Sequence, residues 1–201
     1  MTASKSLRNV IGLDNQLPRL ADATLIFIDF QNTYCKGVMA LEGADKALSA
    51  GARLLAAARA AGTRVIHVMH DGGAGSPYDI RAEIGAICAE VAPIAGERVV
   101  VKKFPNSFHD TDLEKTLREL NAGTELVLAG FMTHMCVAFT AQGAFNLGYR
   151  PTVVAEATAT CSLTAPDGSI VPAASLKTAA LTTINDLFGV VVPAVNDLTA
   201  K

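Results

Sequence analysis

Long apolar runs are missing from the chain. No window reaches the roughly 18 uninterrupted apolar residues of a membrane-spanning helix, so no membrane partner is expected. The opening MTASKSLRNVIGLDNQLP has no apolar h-region and does not read as a signal peptide. Charge is also sparse. Charged residues make up 18% of the chain, the net charge is −2, and no basic cluster exists, which argues against a nucleic-acid partner. Cysteine is rare and unpaired in pattern: Cys35, Cys88, Cys136 and Cys161 form no C-x-x-C and no short zinc spacing. Reduced thiols in a cytoplasmic protein are therefore expected rather than a disulfide framework. What is present is apolar: half of the residues, which excludes disorder and suits one globular domain over residues 1–201.

Six short apolar runs stand out: 23–30, 63–70, 97–103, 125–131, 150–157 and 187–193. Most are rich in Val and Ile and nearly unbroken, as strands buried on both faces are. Helical periodicity fills the gaps at 44–62, 111–123, 133–148 and 173–186, the first two stopping at glycine. The alternation predicts a doubly wound, mainly parallel six-stranded sheet with right-handed crossovers. No repeat, low-complexity tract or linker interrupts it. GGAGSP (72–77) reads as a flexible loop, because no strand–GxGxxG–helix pattern surrounds it.

In such sheets, ligands bind beyond the carboxyl ends of the strands. Three chemically capable residues fall there: Asp29 after the first run, Lys103 after the third, and Cys136 at the start of the helix after the fourth. Each has a plainer explanation. A small cysteine packs well in cores, the aspartate could form a turn, and the lysine could snorkel from a strand end. Together they make an activated nucleophile with an acid–base partner, the helix N-terminus and the ammonium both favouring a thiolate. Cys35, Cys88 and Cys161 read as structural. His67 and His70 lie three apart on one strand and point to opposite faces, so they do not share an ion. His109 and His134 have no partners at ligand spacing, and no metal or other cofactor is expected.

The stretch LIFIDFQNTYC resembles the first-strand motif of the isochorismatase-like cysteine hydrolases, a superfamily that includes nicotinamidases and N-carbamoylsarcosine amidohydrolases. KKFPNSFHDTDLEKTL is similar to its K-x-x-x-S-x-F-x-x-T-x-L segment, and AGFMTHMCVAFT to its G-x-x-T-x-x-C-V-x-x-T nucleophile segment. The resemblance covers about residues 23–161 and implies a three-layer α/β/α sandwich. It further implies an Asp29–Lys103–Cys136 triad and a cis peptide at Phe131–Met132. An oxyanion hole would come from the backbone N–H groups of Met132 and Cys136. Two departures stand out. The D-x-H metal motif of nicotinamidases is absent from HVMHDGGAGSPYD, and Glu156-Ala157 stands where many relatives have Asp-Ala.

The function that follows is cysteine-dependent hydrolysis of a small amide, imide or related C–N bond. Isochorismate-type ether cleavage, with Asp29 as general acid and Cys136 a bystander, is the runner-up, and a non-enzymatic thiol sensor the alternative of another class. Phe30, Tyr34, Phe104 and Phe131 adjoin the triad in sequence and are candidate walls for a small substrate, or core residues. Similar hydrolases form symmetric oligomers, and a homo-oligomer is expected here.

Overall fold

The computed structural model describes residues 4–199. The six apolar runs become the strands β1 (Thr24–Ile28), β2 (Arg64–His70), β3 (Arg98–Lys102), β4 (Glu125–Phe131), β5 (Arg150–Ala159) and, last in the chain, β8 (Val190–Val192). They pair in parallel in the order β3-β2-β1-β4-β5-β8. A short antiparallel ribbon, β6 (Leu163–Thr164) and β7 (Ile170–Val171), lies outside this sheet. The helices are α1 (Leu7–Val10), α2 (Ala44–Ala60), α3 (Leu113–Glu119), α4 (Ala138–Asn146), α5 (Ala173–Thr183) and α6 (Asn196–Thr199).

Strand alternation sorts the core into two layers. On β1, Leu25 and Phe27 pack with Leu54 and Leu55 of α2, while Ile26 and Ile28 pack with Leu113 and Leu117 of α3 and with Val137 and Ala141. The β1 strand is buried along its whole length, which is why its run reads as unbroken. The order of strand addition reverses between β1 and β4: the chain first steps outward to β2 and β3, then crosses to β4, β5 and β8. The carboxyl ends of β1 and β4 therefore flank the crevice where open α/β sheets hold ligands.

Two glycines make that junction close. A Cβ on Gly130 would sit 1.9 Å from the Ile28 carbonyl oxygen, and its φ of 134° suits glycine alone. A Cβ on Gly51 in α2 would meet the Phe30 ring tip at 2.7 Å. Phe30 is thus committed to the α2 layer, edge-on to Phe27 and Phe131. No described helix is long and apolar enough to cross a membrane.

Candidate active site

Asp29 leaves β1 in the left-handed region, with φ 53°. An L-residue holds that conformation at a cost, and aspartate is among the side chains that tolerate it. Its N–H is fixed to the Val68 carbonyl at 2.9 Å, and its side chain is fully buried. Cys136 lies in one wide π-helical turn, Thr133–Val137, that runs directly into α4. The peptide between Phe131 and Met132 is cis, as the resemblance implies.

The lysine that joins them is Lys102, not Lys103. Its Nζ lies 2.7 Å from Asp29 Oδ2 and donates to Cys136 Sγ at 3.3 Å, with the side chain fully buried. Lys103 is exposed. The reason is strand parity on the sheet's edge. Val100 and Lys102 face the α3–α4 layer, whereas Val99 and Val101 face the side that α2 does not reach and stay 45% and 42% exposed. One step along the strand therefore moves a lysine from solvent into the site.

A third acceptor completes the ammonium's coordination. His70 is the register partner of Lys102 across β2 and β3, and its Nδ1 is 3.2 Å from Nζ. Fully buried Gln31 holds the His70 backbone at both ends: its Oε1 accepts from the His70 N–H at 2.8 Å and its Nε2 donates to the His70 carbonyl at 3.0 Å. The same Nε2 donates to the Gly85 carbonyl at 2.7 Å. The His70 ring stands edge-on to Tyr78. His67, on the opposite face as expected, contacts Glu97 instead. Among the described residues, no group of three or more His, Cys, Asp and Glu could hold a metal ion.

Burial dominates the electrostatics. It raises the Asp29 carboxyl above the ordinary carboxylate range, against the pull of Lys102. Burial and then the Asp29 charge push the Cys136 thiol up to about 12, with Lys102 opposing. Burial and Asp29 thus favour the thiol, against the helix dipole and the ammonium, which favour the thiolate. Burial alone would lower the Lys102 ammonium, but Asp29 and Cys136 outweigh it and hold it above the usual lysine value. Burial and the Lys102 charge lower His70, so the ring is neutral at ordinary pH and Nδ1 can accept. Lys102 Nζ contacts Asp29 Oδ2 at 2.7 Å, and among the described residues no backbone N–H donates to either carboxylate oxygen. A buried, unfilled acceptor beside a thiol is a ready proton sink.

The remaining motif residues build the scaffold. Ser107 N–H and Oγ both bond Thr140 Oγ1, at 3.0 and 2.8 Å, and dock the segment after β3 onto α4. A Cβ on Gly143 would meet the Asn106 amide at 2.5 Å, so that docking also needs a glycine in α4. Thr133 Oγ1 donates to the Ala159 carbonyl at 3.1 Å. Of the four aromatic candidates, Phe30 and Phe131 are core side chains. Phe104 is 46% exposed and stands edge-on to His109. Tyr34 stays near the site: its phenol is buried, and the Asp29 and Cys136 charges add to burial in raising its pKa and keeping it neutral. GGAGSP is not a free loop. Gly73 N–H donates to Asp71 Oδ1 and Gly75 N–H to Asp79 Oδ2, while Arg81 bridges both carboxylates. Glu156 is structural: Oε1 accepts from Val195 N–H at 2.6 Å and Oε2 pairs with Arg53 at 3.0 Å.

The family model described as Isochorismatase domain matches residues 23–192. The secreted isochorismatase effector Isc1 of Verticillium dahliae is 32% identical over 188 residues, spanning 93% of this chain and 96% of that protein. A maleamate amidohydrolase of Pseudomonas putida is 33% identical over 155 residues, spanning 66% of this chain and 70% of its own. The crystal structure of an isochorismatase from Pseudomonas putida KT2440 superposes with a TM-score of 0.92 at 37% identity, covering 98% of this chain and all of that one.

Proposed function

This chain belongs to the isochorismatase family of hydrolases, and from that premise we propose that it cleaves a C–N bond of a small amide or imide through Cys136, Asp29 and Lys102. The observation that carries the reading is one buried ammonium in contact with both a carboxylate and a thiol. The Cys136 thiol gives its proton to Asp29 as Sγ attacks the substrate carbonyl. The raised affinity of Asp29 for a proton suits it to this task. Negative charge moves from Asp29 to sulfur and then to the carbonyl oxygen, and Lys102 stays next to the first two of those positions. The N–H groups of Met132 and Cys136 are assigned to the oxyanion. Collapse of the tetrahedral adduct expels the amine, which takes the proton from Asp29. Water, deprotonated by Asp29, then hydrolyses the thioester and regenerates the thiol.

The test is a parallel screen of small amides, imides, ureas and isochorismate with the wild type and Cys136→Ala. Amide turnover that disappears in the variant supports the proposal. Isochorismate turnover that survives it would overturn the nucleophilic role.

A further inference from the structure

Cys35 and Cys88 lie 53 residues apart in sequence, yet their sulfurs are 3.8 Å apart. Both are free thiols. The contact is held by backbone on either side. The Gln31–Ile87 pair forms an antiparallel bridge, Asn32 N–H donates to the Ala86 carbonyl at 2.9 Å, and Cys88 N–H donates to the Phe30 carbonyl at 2.8 Å. The Asn32 side-chain amide donates to the Glu83 carbonyl at 2.8 Å, and Lys36 pairs with the Glu83 carboxylate at 2.6 Å. Two chain segments are thus fastened together before any covalent link exists. From 3.8 Å the sulfurs have only a short way to close to the bonding distance of about 2 Å.

We propose that Cys35 and Cys88 form a redox-active dithiol site, distinct from Cys136, whose substrate is a hydroperoxide. Cys35 is the attacking thiol because it is half-buried, whereas Cys88 is 1% exposed. Its sulfur attacks the distal peroxide oxygen, the O–O bond breaks, and Cys35 becomes a sulfenic acid with loss of water (or an alcohol). The Cys88 sulfur then attacks Cys35 Sγ, its proton leaves with the hydroxyl as a second water, and a disulfide results. Two thiols lose two electrons and the peroxide gains them. The hydrogen bond between them lowers the Cys35 thiol while Cys88 itself is raised, the division of labour this sequence requires. The link would tie the segment after β1, which carries Gln31, to the segment before β3.

The site does not depend on the hydrolase reading. Reduced full-length protein is treated with one equivalent of hydrogen peroxide, quenched with N-ethylmaleimide and mapped by mass spectrometry without reduction. The expected product is a Cys35–Cys88 cross-linked peptide lacking two hydrogens, reversed by dithiothreitol, with Cys136 still alkylatable after denaturation. Closing a loop of this length should raise the thermal midpoint by roughly 5–15 °C. In Cys88→Ser the sulfenic acid should persist at Cys35 and react with dimedone; in Cys35→Ser neither product should form. Oxidation landing first on Cys136 or Cys161, a disulfide between molecules, or dimedone labelling unchanged in Cys35→Ser would each overturn the proposal.

Discussion

Cys136 shares its pocket with an ammonium and a carboxylate, whereas Cys35 and Cys88 share theirs with each other. At Cys136 the surrounding charges balance: the cation favours a thiolate and the carboxylate forbids it, so burial decides in favour of the thiol. At Cys35 the hydrogen bond with Cys88 outweighs burial and the charges of Asp45 and Glu90, and makes the thiolate easier to form. A nucleophile need not be ionised at rest. It needs a base that can take the proton when the electrophile arrives, and in the proposed mechanism Asp29 is that base for Cys136. The comparison therefore separates reactivity made on demand from reactivity that stands open to any reagent.

The sharpest way to break it is to remove the cation. Lys102→Met should lower kcat/KM on the amide identified by the screen by about 10²–10⁴-fold, while Lys103→Met should stay within about twofold. An unpaired buried Asp29 costs stability, about 3–5 kcal/mol, so the single variant has to be checked by thermal denaturation. The Asp29→Asn, Lys102→Met double variant removes both charges and should fold while remaining inactive. Equal losses from Lys102→Met and Lys103→Met would sink the assignment.

Alkylation tests the other half of the comparison. With brief iodoacetamide treatment at neutral pH, Cys35 should label at least about tenfold faster than Cys136, since the thiolate is the reacting form. Labelling at Cys136 should rise steadily as pH climbs toward its value of about 12. This reverses what helix position and a nearby lysine suggest. Mass-spectrometric mapping that found Cys136 labelled first would show that the cation wins after all.

Much of this was legible in the chain, and the failures share a cause. The six strands could be read because parallel strands covered on both faces leave continuous apolar runs. Asp29 and Cys136 could be read because strand order carries them to one crevice. Lys102 was missed in favour of Lys103 because VVVKK gives no sign that β3 is an edge strand with one exposed face. Counting alternate positions forward from the buried Val100 leads to it. Gln31, His70 and Tyr78 take their places through contacts between β1, β2 and the loop after β2, and such contacts leave no local pattern. The burial that opposes a thiolate at Cys136 does not show in the sequence, which reports neighbours in the chain but not the degree of burial.

Glu97 supplies a control: a buried charge cluster without a thiol. Its carboxylate accepts from Arg59 Nε and Nη2, from Ile94 N–H and from His67. Burial opposes ionisation, but these contacts, led by Arg59, carry its pKa from the ordinary 4.5 down to about 2. A depressed folded value means the stabilisation is complete above pH 4.5 and is lost as pH falls toward about 2. Glu97→Gln should cost about 2 kcal/mol in urea unfolding at neutral pH and flatten that acid limb. Its effect on kcat/KM should stay within about twofold, since the cluster lies on the face away from Cys136. A loss of activity matching that of Lys102→Met would mean that the site responds to any buried charge, and the contrast between the regions would fail.

The smallest effect belongs to Glu156, which occupies the position where an aspartate is common in the resembling proteins. Between Leu128–Val153 and Gly130–Thr158 the β4–β5 register shifts, and Glu156 stands in the irregular stretch of β5 between them. From there its longer side chain reaches Val195 N–H and Arg53, tying the segment before α6 to β5 and α2. Glu156→Gln keeps an oxygen for Val195 and loses only the charge opposite Arg53, a pair more than half open to solvent on the arginine side. That should cost about 0.5 kcal/mol. Glu156→Asp shortens the arm and should release both contacts, for about 1 kcal/mol, with hydrogen exchange rising first at Val195 and through α6. Turnover should be unchanged in both variants. If Glu156→Asp instead lost activity at full stability, the carboxylate would belong to the chemistry of the crevice and not to the anchoring of the C-terminal segment.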